Sequence, residues 1–189
     1  MMSKFISSFV SLISSTNPQF SELQLKKMEY GLICFFNEIT KLIVYYIIFY
    51  IFNSQDYYII TLLFFCSLRA FSGGYHANTY WGCFVFSLFI FGIVIIMGKI
   101  VLLGNNVKVI LLFLSLILVT IFSPVDNINK RIKSRERKLR LKYLSIIVTV
   151  ILSALIYIIP NKFSTTAVIS ILAATLMMML GALNNKMES

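Results

Sequence analysis

Among residues able to do nucleophilic or acid–base chemistry, this chain holds a single histidine and three cysteines. His76 sits in the run Arg69-Ala70-Phe71-Ser72-Gly73-Gly74-Tyr75-His76-Ala77-Asn78, and Cys83 follows seven residues later. A thiol beside an imidazole is a nucleophile beside a base. The imidazole takes the thiol proton or stabilises the thiolate, which then attacks a carbonyl and forms a thioester. On one continuous helix, seven residues is two turns, about 10–11 Å along the axis, too far for the side chains to touch. The pair therefore requires the chain to turn between them. Asn78 and Thr79 permit a turn, and Tyr80 and Trp81 are suited to anchor it at a membrane interface. Gly73 and Gly74 let backbone approach a substrate closely, with N–H groups that could face an oxyanion. No carboxylate is available nearby in sequence to orient the base, which leaves Ser72 or Asn78 in that part, or a bare dyad. The alternative reading is bland: a histidine at an interface is often a hydrogen-bonding anchor, and Cys34 and Cys66 read as small apolar residues.

The remaining charged residues divide into pairs and patches. Arg69 binds a substrate carboxylate or holds the glycine loop, or else it extends to lipid head groups. Glu38 and Lys41, three apart in an apolar segment, fit a self-neutralised pair, with a supporting or substrate-docking role as the alternative. Eight of the 17 Lys and Arg lie between Lys130 and Lys142. Beside apolar spans such a run reads first as a topology signal meeting anionic lipid, not as a nucleic-acid site. Lys130, Arg131 and Lys133 could also attract an acidic peptide. One histidine and scattered cysteines make no zinc site, the run from Met177 to Met179 reads as membrane core, and no nucleotide-binding motif occurs. No cofactor is expected.

The elements that must position these residues are apolar helices. Hydrophobic residues are 59% of the 189, charged residues 13%, and mean hydropathy is +0.87. Soluble domains carry about 25% charged residues, so a soluble surface is excluded here, as is a disordered chain. The expected class is an all-α polytopic integral membrane protein with about six transmembrane helices and an N-terminal amphipathic interfacial helix. The apolar segments are 31–52, 57–68, 81–103, 107–122, 143–159 and 163–183. They are continuously apolar, unlike the alternating strands of a membrane barrel. The second is short for a span, so it tilts, stops partway, or continues into the following loop. At the start, Phe5, Ile6, Phe9, Val10, Leu12 and Ile13 share one helical face, with serines on the other. That pattern fits an uncleaved interfacial helix better than a signal peptide, since no small-residue cleavage site follows. Asn17-Pro18 breaks the chain. The chain divides as 1–30 amphipathic and charged helices, 31–68 two apolar segments, 69–83 the candidate catalytic loop, 84–122 two spans, 123–142 a basic loop, and 143–189 two spans and a tail.

The positive-inside rule places 123–142 in the cytoplasm. Counting spans outward puts 69–80 and both termini on the same side. That count inverts for the N-terminal half if 57–68 does not cross.

Arg69, Gly73-Gly74, His76-Ala77 and Cys83, with Glu38 and Lys41 upstream and Ser123-Pro124-Val125 before a basic loop, resemble the AgrB family. Its members are bacterial accessory gene regulator proteins, membrane cysteine endopeptidases of peptide quorum sensing. The resemblance covers nearly the whole chain; Asn78 departs from it, since some relatives have proline there. It implies that Cys83 is the nucleophile and His76 the base, in a loop facing the cytoplasm. The substrate would be an AgrD-like precursor whose acidic C-terminal tail is removed. The acyl-enzyme would then be attacked by a Cys or Ser of the peptide, closing a thiolactone or lactone. It also implies a homodimer. The competing expectation is a non-catalytic transporter or export component for a small peptide. A cysteine-dependent acyltransferase is disfavoured by the lack of zinc-binding cysteines.

Overall fold

The computed structural model describes residues 2–17, 19–75, 79–125 and 134–187. Seven helices follow in order: α1 Met2–Thr16, α2 Glu22–Ile51, α3 Gln55–Ser72, α4 Tyr80–Ile100, α5 Asn105–Phe122, α6 Arg135–Leu155 and α7 Asn161–Met187. No strand is present among the described residues, and the only β-type pairing there is an isolated bridge between Gly73 and Val125. Four helices, α2, α4, α5 and α7, are long and apolar enough to cross a membrane. The all-α membrane class is thus borne out. The expected count of six is not reached by that measure, because α3 and the apolar part of α6 fall short of it.

The chain forms two compact units, 1–48 and 49–189. In the first, α1 buries Ile6 and Val10, one turn apart, and leaves Phe9 and Leu12 exposed. The start of α2 is fixed by a capping box: Ser21 N–H donates to Gln24 Oε1 at 2.9 Å, and Gln24 N–H donates to Ser21 Oγ at 3.3 Å. From there α2 runs without interruption through Gly31, so the charged segment and the first apolar segment are a single helix.

In the second unit α7 is the central element, packing against α3, α4 and α5, while α6 packs on α3 and α5. Over half of the apolar window of α7 is buried (56%), against 22% in α4 and in α5. Its buried residues are small or hydroxylated to a large degree: Ser164, Thr165, Thr166, Ala167, Ser170, Ala174 and Thr175. Small side chains let helices approach closely where lipid gives no hydrophobic drive for association. Gly98 of α4 is such an approach, since a Cβ there would overlap Thr166. The short apolar segment 57–68 belongs to a longer helix, because α3 continues through Arg69 to Ser72. The basic run is likewise partly helical: Ser134 caps α6, and Arg135, Arg137, Lys138 and Arg140 line its exposed first turns.

Candidate functional site

The helix that delivers Arg69 stops where glycine makes stopping possible. Gly73, with φ +71°, terminates α3, and its N–H donates to Arg69 O at 3.1 Å. That donor is therefore committed to the cap. Gly74 follows with φ +145°. Both values lie where side chains with a Cβ are strained, so the glycine pair is required by the backbone path.

Three other elements hold the segment that leaves α3. Val125, just past α5, donates its N–H to Ser72 O at 2.9 Å. A Cβ on Gly73 would overlap the Val125 carbonyl. From α7, Met177 O accepts the N–H of Tyr75 at 3.0 Å. Gly181, one turn further along α7, leaves the space in which the loop lies: a Cβ there would stand 2.6 Å from Tyr75 N and 2.8 Å from Gly74 C. From α4, Phe86 meets the Tyr75 ring edge-on at 5.7 Å. Arg69 closes the arrangement, its guanidinium donating from Nη2 to Tyr75 O and lying 5.5 Å from the centre of the Phe65 ring. Ser72 is fully buried, with its Oγ donating to Gly73 O at 3.3 Å.

His76 and Asn78 lie outside the described residues, as do Lys130, Arg131 and Lys133. The chain resumes at Thr79, which caps α4 by accepting Gly82 N–H on its hydroxyl at 3.1 Å. Cys83 sits one residue further on, in the first turn, its N–H donating to Thr79 O at 3.0 Å. Since α3 ends at Ser72 and α4 begins at Tyr80, no continuous helix connects positions 76 and 83. Cys83 is half-buried and is in no disulfide, nor are Cys34 and Cys66. Tyr80, Trp81 and Phe84 form an aromatic cluster on the same turn, with Trp81 70% exposed. Glu38 and Lys41 form an ion pair in the first unit, Lys41 buried and Glu38 largely exposed. No metal-binding group of His, Cys, Asp and Glu occurs among the described residues.

The supports at Val125, Met177 and Gly181 are not apparent from motif spacing. The one available signal is Gly181 itself, an isolated glycine inside an apolar helix, where a packing reason is expected.

The accessory gene regulator B family matches residues 5–180, which includes α3, the glycine loop, Cys83 and Met177 of α7. An AgrB-like protein of Clostridium beijerinckii is 27% identical over 172 residues, covering 90% of this chain and 85% of that protein. No solved structure matches the fold. With the match spanning almost its full length and four membrane-crossing helices to carry it, the chain belongs to the accessory gene regulator B family, a multi-pass membrane protein of the agr quorum-sensing system.

Proposed function

We propose that the protein is a cysteine endopeptidase that removes the C-terminal tail of an AgrD-like precursor peptide and closes the remaining peptide into a ring. The observation that carries this reading is the break between α3 and α4. It puts Cys83 in the first turn of a new helix, beyond a loop pinned by three other elements. Such a loop lets a histidine two helical turns away in sequence come to the cysteine.

The chemistry balances without a cofactor. Cys83 Sγ gives its proton to His76 and attacks the carbonyl at the cleavage position. The C–N bond breaks, and the departing tail takes that proton from His76 on its new amine. A thioester to Cys83 remains. A Cys thiol or Ser hydroxyl of the peptide then attacks the same carbonyl, and Cys83 leaves with a proton. Thioester exchange with a thiol is close to isoenergetic, so ring closure to a thiolactone needs no nucleotide. The requirement is exclusion of water from the acyl-enzyme, for which the Tyr80, Trp81 and Phe84 cluster is suited. Arg69 and the glycine pair position the loop. Lys130, Arg131 and Lys133 attract the acidic tail on the cytoplasmic side, with Glu38 and Lys41 a docking pair upstream. The working unit is a homodimer.

The test is mass spectrometry of the reconstituted protein with its precursor peptide, alongside Cys83→Ala and His76→Ala. The expected product is a tail-less peptide one water lighter than its linear form, with an acyl adduct on Cys83 in the wild type only. An uncut peptide in folded, reduced protein overturns the reading in favour of transport without chemistry.

A further inference from the structure

The end of the second unit opposite the glycine loop carries three lysines, none of which pairs with a carboxylate among the described residues. Lys108 of α5 is 6% exposed, and its ammonium donates to Ser164 Oγ of α7 at 2.6 Å. Ser164 Oγ in turn donates to Asn161 O at 2.9 Å. No carboxylate among the described residues lies within 4.0 Å of the Lys108 ammonium. A buried charge facing only a neutral hydroxyl is unfavourable unless an anion completes its shell. The surroundings add to the need, since α5 and α7 both begin here and present the positive ends of their dipoles.

Two further lysines share this rim. Lys99, near the end of α4, donates to Ser54 Oγ at 2.6 Å and to Asn53 O at 3.3 Å. Asn53 takes φ 48° in the turn that offers that carbonyl. The Lys99 ammonium lies 5.3 Å from the centre of the Tyr57 ring, which meets the Phe163 ring edge-on at 5.1 Å. Lys162 lies 4.6 Å from the centre of the Phe163 ring. The two rings thus link the outer lysines, and the hydroxyl of Ser164, adjacent to Phe163, leads to the buried one. Asp56, the nearest acid in sequence, is exposed and forms no ion pair.

The depth of the rim identifies the anion. The helices α4, α5 and α7 are apolar enough to cross a membrane; α5 begins at Asn105-Asn106 and α7 at Asn161-Lys162, polar starts that lie at this end beside Lys99 of α4. Phospholipid phosphates lie at that boundary. Ile100, Leu102 and Val107 beside the rim are exposed, 75%, 85% and 45%, as side chains against acyl chains are. The geometry points to a binding site for an anionic phospholipid, its phosphodiester received by Lys108, whose ammonium Ser164 Oγ holds in place, with Lys99 and Lys162 at the rim, and its acyl chains on the apolar flank. Basic pockets between membrane helices take head groups in this way.

The test uses the full chain, purified in neutral detergent, and reads thermal unfolding against added short-chain phosphatidylglycerol, phosphatidylcholine of equal chain length, or inorganic phosphate. Native mass spectrometry counts retained lipid in parallel. Phosphatidylglycerol is expected to raise the melting temperature in a saturable manner. Lys108→Gln should weaken that apparent affinity about tenfold or more, the loss of a charge-assisted contact. Lys162→Gln, at an exposed position that does not endanger folding, should weaken it by a smaller factor. Arg137→Gln, on the basic start of α6, should leave it unchanged. An equal shift with phosphatidylcholine overturns the proposal, because acyl contact alone then suffices. An equal shift with inorganic phosphate overturns the lipid assignment, leaving a small-anion site. Unchanged affinity in both lysine variants overturns it as well.

Discussion

At the scale of single residues, the candidate site depends on three glycines with different tasks. Gly73 and Gly74 take backbone angles at which other residues are strained, and Gly181 lends its missing side chain to a neighbour. Gly181→Ala would drive a methyl into the backbone of Gly74 and Tyr75, displacing the segment that leads to His76. Its cost in stability is expected to be about 1–3 kcal/mol, the range for overpacking. On the proposed reaction, kcat should fall well before KM changes, because the shift reaches the loop and not the peptide-binding surface. Steady-state kinetics at a temperature where the variant is folded would check this. Equal loss in kcat/KM from KM alone would mark Gly181 as a helix-packing residue only. His76 and Cys83 stand out as candidates in the sequence because reactive side chain types are scarce in this chain and their spacing is short. The supporting roles of Val125 and Met177 do not, because they act through backbone atoms, and a backbone carbonyl or N–H leaves no trace in residue type.

Helices show the same contrast between what hydrophobicity marks and what hydrogen bonding does. The apolar run 57–68 left open whether its helix tilts, stops partway or continues into the following loop; α3 continues to Ser72, because backbone bonding runs on until a glycine ends it. Hydropathy reports immersion, and the polar last turn of α3 lies past that. The same argument explains α2, where charged and apolar stretches form one helix, and α6, which begins inside the basic run. At the other side of the loop, Thr79 was read as a turn former and serves as the N-cap of the helix bearing Cys83. Thr79→Ala should cost about 1 kcal/mol of local stability and fray the first turn of α4. Thr79→Ser, which keeps the hydroxyl, should not. The rate of Cys83 alkylation by a small maleimide, in a background lacking Cys34 and Cys66, is expected to rise in Thr79→Ala and stay near wild type in Thr79→Ser. Equal rates in all three proteins would remove the cap from the account.

For the molecule as a whole, the two ends of the second unit are chemically distinct. One end gathers the glycine loop, Cys83, the Ser123–Ser145 hydroxyl pair at 2.8 Å and the basic start of α6. The other gathers Lys99, Lys108 and Lys162. Charge counting on the sequence placed the basic segment in the cytoplasm, and the proposed orientation follows from it. Single reporter cysteines at Ser134 and Asn105, in an otherwise cysteine-free chain, should label from opposite faces in sealed inverted vesicles with a membrane-impermeant maleimide. Ser134 should react from the cytoplasmic face. Labelling of both from one face would refute the crossing of α5. The membrane class was legible from composition alone, whereas the burial of α7 was not. Its apolar residues resemble those of α4 and α5, and only the share of small and hydroxylated side chains sets it apart.

The bond from Tyr75 to Met177 reaches across about a hundred residues of chain, from the third helix to the last. During synthesis at about 5–20 residues per second, some 5–20 seconds separate the emergence of the loop from that of its acceptor. Through that interval Cys83 is already in place while Tyr75 lacks its acceptor on α7. On the proposed function, activity is therefore expected only once the final helix has entered the membrane, and a half-made chain is expected to leave the precursor uncut.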